Sequence, residues 1–152
     1  MRTLIVEDEM LLAMELESEI EASSHQVIGI AGNYEEAIQL IDQGSPEFAF
    51  VDIQLRDGPT GIDIGRKLSS KSIPFVFVSG NLKRIPSDYA GALGAIEKPY
   101  TINGLKNALS YVDAVVSGSR PPSPPPSLLV FEPPGESDAE VTSRQRQSGA
   151  AA

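Results

Sequence analysis

Five short apolar runs, separated by longer stretches with a helical pattern, constrain the fold of this chain more than any other feature. The apolar runs are residues 3–6, 26–31, 48–51, 74–78 and 92–96. Most of them are apolar at every position, which is typical of strands in a parallel sheet that helices cover on both faces. Apolar residues recur at helical spacing in residues 9–22, 34–43, 61–70 and 101–116. The alternation of strand and helix predicts a doubly wound α/β domain.

The stretch between the fourth and fifth runs is the weakest part of this pattern. Its sequence, NLKRIPSDYAG at residues 81–91, is short, has few apolar residues and contains Pro86. Because proline limits a helix, we expect five helices of which the fourth is short or irregular.

The composition of the chain changes near Ser117. Seven of the twelve prolines follow that residue, and residues 135–152 contain a single large apolar side chain. Such a segment buries too little surface to offset the entropy lost on ordering. We therefore interpret residues 1–116 as one domain and residues 117–152 as a proline-rich, disordered tail. Its one apolar island is LLVF at residues 128–131.

Charge and composition disfavour several classes of function. The net charge is −9, whereas a nucleic-acid-binding protein needs a basic surface. The absence of cysteine excludes a disulfide framework and a thiolate metal site. No apolar run is long enough to span a membrane, and Glu7 interrupts the first run too early for a signal peptide. We expect a cytoplasmic protein with no nucleic-acid or membrane partner.

Polar side chains stand where four of the five predicted strands end. Glu7 and Asp8 follow the first run, Asp52 the third, Ser79 the fourth and Lys98 the fifth. In an open α/β sheet the ligand crevice lies beyond the carboxyl ends of the strands, so these side chains should converge. Each also has an ordinary explanation, such as a helix cap for Asp8 or a solvated surface charge for Lys98. Those explanations do not account for the joint pattern.

Clustered carboxylates of this kind call for a positive charge. Two carboxylates about 4 Å apart repel by roughly 4 kcal/mol at an effective dielectric near 20. Mg²⁺, which prefers oxygen ligands, removes that cost. Beside such a metal, Asp52 would be an anionic nucleophile able to attack a phosphoryl group. Lys98 and Ser79 would then contact the phosphoryl oxygens.

Four motifs in the chain resemble those of a response-regulator receiver domain, the phosphoacceptor of two-component signalling. They are IVEDE, FVDIQL, VFVSG and EKPY, one at each of four strand ends. The resemblance covers about residues 1–116. It implies a flavodoxin-like fold, a doubly wound sheet of five parallel strands in the order 2-1-3-4-5.

The resemblance also implies roles for individual residues. It makes Asp52 the phosphorylation site, Ser79 the switch hydroxyl and Lys98 the lysine that contacts the phosphoryl group, followed by a cis peptide bond to Pro99. The implied protein ligands of Mg²⁺ are Asp8 and Asp52 directly, Glu7 through water, and the backbone carbonyl of Gln54.

Two positions depart from the family pattern. Arg56 stands where a proline is typical in the loop after the phosphorylation site, and Ala95 stands three residues before the lysine, where most receivers have Tyr or Phe. Because the usual aromatic switch would lack its ring, we expect residues 81–91 to be the moving part.

The resemblance implies a stand-alone signalling protein rather than an enzyme. Its phosphodonor would be a sensor histidine kinase or a histidine phosphotransfer protein, and its output would reach an unknown downstream protein by contacts or phosphoryl relay. The chain could also form a homodimer, which the sequence does not decide.

A phosphorylation-independent, receiver-like interaction module is the alternative function. A hydrolase of the haloacid dehalogenase type is disfavoured, because it needs an aspartate two residues after the nucleophile, where this chain has Gln54.

Overall fold

The computed structural model describes residues 1–119 and 123–131, and its elements follow the predicted alternation. They are β1 (Arg2–Val6), α1 (Met10–Ala22), β2 (Gln26–Ala31), α2 (Tyr34–Gly44), β3 (Phe48–Val51), α3 (Gly61–Ser70), β4 (Phe75–Ser79), β5 (Gly94–Glu97), α4 (Ile102–Val116) and β6 (Leu129–Val130). The first five strands are parallel and lie in the order β2-β1-β3-β4-β5, which confirms the predicted flavodoxin-like topology. A sixth strand, β6, pairs antiparallel with β5.

Helices cover both faces of the sheet. Because successive strand residues point to opposite sides, neighbouring residues of a strand pack against different helices. On one face, Ile5 and Phe50 pack with α1 and α4. On the other, Leu4 and Phe77 pack with α2 and α3. All four side chains are buried, and burial of each contributes about 1.5–3 kcal/mol. Within the two described stretches, no helix has both the length and the apolarity to cross a membrane.

The central strands are buried along their whole length, and this positions the polar residues that follow them. Every residue of β3 and β4 is buried, so their polar groups reach the sheet edge only where these strands end. Gly61, at the start of α3, closes the loop after β3, where its N–H donates to the Ile53 carbonyl at 3.0 Å. A Cβ at Gly61 would collide with the Asp52 carbonyl oxygen, so the close packing of this loop requires glycine.

Residues 81–91 contain no α-helix. They form two single turns of 3-10 helix, Leu82–Arg84 and Tyr89–Gly91, on either side of Pro86. The backbone of Tyr89 (φ 59°) and Ala90 (φ 51°) is left-handed, which no α-helix tolerates. The predicted fourth helix is thus irregular throughout, and the described residues contain four α-helices instead of the expected five.

Part of the predicted tail lies against the domain. Leu128 is 4% exposed and packs in the layer of α1 and α4, while Leu129–Val130 pair with the edge of β5. The expectation of disorder therefore does not hold for residues 123–131, because the apolar island buries a side chain and pairs an open strand edge. The rest of the predicted tail, residues 120–122 and 132–152, lies outside the described residues.

Two further contacts hold this segment in place. The Ser127 hydroxyl donates to the Gly104 carbonyl in the first turn of α4 at 2.7 Å. The Phe131 ring stacks on Tyr89 with centroids 4.1 Å apart and an interplanar angle of 8°. The segment thereby joins α4 and β5 to the end of the 81–91 stretch.

Candidate functional site

The polar residues predicted from the strand ends meet in one open cleft at the carboxyl edge of the sheet. Glu7 and Asp8 follow β1, Asp52 follows β3, Ser79 ends β4 and Lys98 follows β5. The residues that line the cleft are Asp8, Glu9, Asp52, Gln54, Ser79, Gly80, Asn81, Arg84 and Lys98.

Three carboxylates lie side by side because of the strand register. Val6 of β1 is the partner of Val51 in β3, and the Asp52 N–H donates to the Val6 carbonyl at 2.8 Å. Glu7, Asp8 and Asp52 each offer an oxygen within 4.8 Å of the others. Glu7 (6% exposed) and Asp52 (8% exposed) are buried, so solvent screens their repulsion poorly.

Lys98 bridges the two buried carboxylates. Its ammonium donates to Glu7 Oε1 at 2.8 Å and to Asp52 Oδ2 at 3.1 Å. The backbone N–H of Lys98 donates to the Ser79 carbonyl at 2.9 Å, which anchors this residue to the end of β4. The Lys98–Pro99 peptide bond is cis, as the family resemblance implies.

Burial and hydrogen bonding shift the pKa values of Glu7 and Lys98. Burial raises the pKa of Glu7 above its ordinary value, and the hydrogen bonds from Lys98 and the Glu9 N–H offset that rise only in part. Burial lowers the pKa of Lys98, but the hydrogen bond to Glu7 and the charge of Asp52 outweigh it, so the pKa is raised. Lys98 is therefore a fixed positive charge at the base of the cleft.

Helix capping does not explain the acidic cluster. α1 begins after Glu9, and no side chain in the described residues caps its first turn. Glu7 Oε2 accepts a hydrogen bond from the Glu9 N–H at 3.0 Å, while Asp8 faces the cleft. The structure therefore does not support the interpretation of Asp8 as a helix cap.

The hydroxyl of Ser79 contacts the loop beyond it and not Asp52. It donates to the Asn81 carbonyl at 3.2 Å and accepts from the Asn81 N–H at 3.0 Å. Ser79 is 4% exposed, so its hydroxyl can exchange partners only within the cleft. A contact with an oxygen bound to Asp52 would require release of the Asn81 carbonyl.

Arg84 is a cleft residue that the sequence pattern did not indicate. Its guanidinium donates to Oε1 of the exposed Gln54 at 2.6 Å. Arg84 stands in a segment predicted as a poor helix, and only the fold of residues 81–91 over the sheet edge brings it to the cleft. No motif or spacing in the sequence signals this contact.

Position 95 carries a small side chain in a buried apolar layer. Ala95 is 1% exposed and lies in the same apolar layer as Ala90 and Ala92. Of the two tyrosines nearest in sequence, Tyr89 stacks on Phe131, and Tyr100 packs in the layer on the opposite face of the sheet. Tyr89 is therefore engaged by another ring, and Tyr100 lies on the far side of the sheet from Ala95.

The donor set fits a hard divalent cation. Three carboxylates face one ammonium, so the cluster keeps an excess of negative charge. All of the clustered donors are oxygens, the ligand type that Mg²⁺ prefers. Because Glu7 is engaged by Lys98 and the Glu9 N–H, Asp8 and Asp52 have the freer oxygens for direct coordination.

Comparisons with known proteins find a matching family model and similar sequences. The model of the family described as "Response regulator receiver domain" matches residues 3–110. The phyllosphere-induced regulator PhyR of Methylorubrum extorquens is 37% identical over 83 residues, which are 53% of this chain and 31% of that protein. The transcriptional regulatory protein PdtaR of Mycobacterium tuberculosis is 32% identical over 114 residues, 71% of this chain and 54% of that protein.

A solved structure supports the fold. The solution NMR structure of the REC domain of the Erythrobacter litoralis PhyR response regulator has a TM-score of 0.68 at 24% identity, covering 80% of this chain and 94% of that one. The chain spans between 31% and 54% of the length of the curated relatives PhyR and PdtaR. The similarity therefore concerns only part of those proteins.

Proposed function

Because this chain belongs to the response regulator receiver domain family, we propose that it is a signalling phosphoacceptor whose Asp52 takes a phosphoryl group from a phosphohistidine donor. The donor is a sensor histidine kinase or a histidine phosphotransfer protein. The observation that carries the proposal is the position of Asp52, which is 3.1 Å from the Lys98 ammonium and within 4.8 Å of the Glu7 and Asp8 oxygens.

In the proposed reaction a carboxylate oxygen of Asp52 attacks the phosphorus atom of the donor. An O–P bond forms while the N–P bond of the phosphohistidine breaks, and the leaving imidazole keeps the bonding pair and takes up a proton. The Lys98 ammonium, already beside Asp52, neutralises charge on the transferred group. The Ser79 hydroxyl leaves the Asn81 carbonyl and donates to a phosphoryl oxygen.

The acidic cluster is the proposed Mg²⁺ site. Asp8 and Asp52 would hold the ion directly, Glu7 would act through water, and the Gln54 backbone carbonyl would complete the protein ligands. Once bound, the ion supplies the positive charge that lets phosphoryl oxygens approach three carboxylates. The contacts of Glu7 with Lys98 and the Glu9 N–H support its indirect role.

An exposed apolar patch beside the cleft supports a protein phosphodonor. Met10, Leu11 and Met14 on the first turns of α1 are 63%, 83% and 53% exposed. Met10 directly follows Glu9, which lines the cleft, so a protein seated on this patch can present a histidine to Asp52. We propose that the phosphodonor docks there.

Output passes to a downstream protein through contacts or phosphoryl relay, and the chain catalyses only its own phosphorylation and dephosphorylation. A receiver-like interaction module that works without phosphorylation is the alternative. The acidic cluster favours the phosphoacceptor, because a module that does not bind a metal would retain the repulsion among its carboxylates.

Incubation with labelled acetyl phosphate and Mg²⁺ tests the proposal. We expect the wild-type chain to gain one acid-stable, base-labile phosphoryl group, since an aspartyl phosphate has that stability. Asp52→Asn removes the nucleophile and should abolish labelling. The matched control is Asp63→Asn, the same chemical change at an exposed position on α3.

The other outcomes decide between the alternatives. Undiminished labelling of Asp52→Asn would contradict the assignment of the phosphorylation site. A wild-type chain that takes up no label would support the phosphorylation-independent module, and rapid release of free phosphate at high turnover would indicate a phosphatase.

A further inference from the structure

Arg84 binds a neutral partner, although it lies at an acidic cleft. Two other arginines of the domain pair with carboxylates, Arg56 with Glu36 at 3.1 Å and Arg66 with Asp88 at 2.9 Å, whereas Arg2 donates to backbone carbonyls. Within residues 1–119 and 123–131, no carboxylate lies within 4.0 Å of the Arg84 nitrogens. Its hydrogen bond is to the amide oxygen of Gln54, two residues beyond Asp52.

The position of Arg84 places this charge beside the phosphoacceptor. Arg84 ends the 3-10 turn Leu82–Arg84 and lines the same cleft as Asp52 and Lys98. Lys98 already bonds to two carboxylates, so a phosphoryl group on Asp52 would add more negative charge than Lys98 alone offsets. Arg84 is the other cationic side chain that lines the cleft in the described part of the chain.

Phosphorylation would change the preferred partner of this guanidinium. A phosphoryl group adds up to two negative charges and several strong acceptor oxygens. A guanidinium fits phosphate oxygens with paired N–H groups, and in such a contact both partners are charged. In the bond from Arg84 to the Gln54 amide only the donor is charged, so it is weaker than the contact that a phosphoryl group offers.

We propose that Arg84 is a phosphoryl-binding residue, which leaves Gln54 for an oxygen of phosphorylated Asp52 and draws the turn Leu82–Arg84 toward the cleft. This inference rests on the proposed phosphoacceptor function and adds a residue to it. The motion of Arg84 would take the place of the aromatic switch, whose ring Ala95 lacks.

The contacts of the neighbouring residues agree with this movement. The 81–84 stretch is held at the cleft by the Ser79 hydroxyl, which contacts Asn81, and by the Arg84–Gln54 bond. Both contacts use groups that a phosphoryl oxygen would compete for. Their exchange would release Asn81 and reposition Arg84 in one step.

Binding of beryllofluoride, a phosphoryl mimic, in the presence of Mg²⁺ tests the inference by NMR titration. We expect Arg84→Gln to weaken the affinity about tenfold, the effect of losing one charge-assisted hydrogen bond. Lys83→Gln is the matched control, because it removes the same charge from an adjacent exposed residue that does not line the cleft. Arg84→Lys should retain part of the affinity.

The outcomes separate this inference from the proposed function. A wild-type chain that does not bind beryllofluoride would contradict the phosphoacceptor proposal itself. Wild-type binding that Arg84→Gln leaves unchanged, or that Lys83→Gln weakens equally, would overturn the role of Arg84. A Gln54→Ala variant that loses as much affinity as Arg84→Gln would overturn it as well, because Arg84 would then act through Gln54.

Discussion

At the carboxyl edge of the sheet, Lys98 offsets only part of the charge that three carboxylates create. Its two hydrogen bonds go to Glu7 and Asp52, so Asp8 is left without a cationic partner in the described residues. Asp8 is half-buried and lines the cleft, where its oxygens can reach an ion from solvent. Asp8 is therefore the residue whose removal should affect metal binding most directly.

We predict that Mg²⁺ stabilises the wild-type chain and that Asp8→Asn removes this response. At a Mg²⁺ concentration ten times the dissociation constant, binding to the folded state alone adds about 1.4 kcal/mol to the free energy of unfolding. Thermal unfolding with and without Mg²⁺ measures the effect. Asp63→Asn should respond as the wild type does, and an equal response of Asp8→Asn would rule Asp8 out as a ligand.

Two amide side chains at the cleft should set the lifetime of the phosphorylated form. Gln54 and Asn81 lie two residues beyond Asp52 and Ser79, and neither carries a charge with which to activate water as a base. Either can position a water molecule, so replacement of either should change the rate of hydrolysis. The test is the decay of labelled protein for Gln54→Ala and Asn81→Ala. Decay at the wild-type rate in both variants would refute this role.

The residues of the cleft differ in how far the sequence alone could predict them. Asp52 and Ser79 each directly follow a buried apolar run, and parallel strands must end at one edge, so their convergence follows from the strand pattern. The contact between Arg84 and Gln54 depends on how an irregular loop folds over that edge. Loop conformation has no periodic signal, and therefore the sequence did not predict Arg84.

Among the elements, residues 81–91 combine contacts at the cleft with low intrinsic stability. They form two single turns around Pro86, and left-handed backbone at a residue such as Tyr89 or Ala90 costs roughly 1–2 kcal/mol. From the proline, the sequence predicted a short or irregular helix here, whereas the structure has no α-helix in this stretch. The stacking of Tyr89 on Phe131 could not be predicted, because its partner lies 42 residues further along the chain.

We predict that beryllofluoride and Mg²⁺ change amide hydrogen exchange most in residues 81–91 outside the acidic cluster, with smaller changes on the Ala95 side of β5. The reason is that the contacts of Ser79 and Arg84 with this stretch compete directly with a phosphoryl oxygen. Asp52→Asn is the control and should show none of these changes. A response confined to α1 or α2 would contradict the proposed readout.

At the scale of the whole molecule, the segment at residues 123–131 closes one edge of the sheet. Gly94 of β5 lies so close to this segment that a Cβ there would collide with the Leu129 carbonyl oxygen. The sequence marked LLVF as the apolar part of the tail but gave no partner for it. β6 pairs with β5 across about 35 residues of sequence. A two-residue pairing over that distance has no local pattern from which it could be predicted.

This packing predicts unequal roles for two adjacent leucines. Leu128 is 4% exposed, whereas Leu129 is 52% exposed. Leu128→Ala should lower the free energy of unfolding by about 2–4 kcal/mol, because it removes buried methyl groups and leaves a cavity. Leu129→Ala, the matched control, should cost under about 1 kcal/mol. Urea denaturation measures both, and equal losses would show that Leu128 is not buried in solution.

The same packing separates the stability of the domain from its phosphorylation. A chain shortened to end at Ser117 loses Leu128, β6 and the Phe131 stack together, so it should be destabilised by at least as much as Leu128→Ala. It should still label with acetyl phosphate, because the acidic cluster is complete at Lys98 and α4 ends at Val116. Labelling is compared at a temperature where circular dichroism shows the shortened chain to be folded. A folded but unlabelled shortened chain would mean that the tail segment takes part in the chemistry at Asp52, and an unchanged urea midpoint would mean that β6 contributes nothing to the fold.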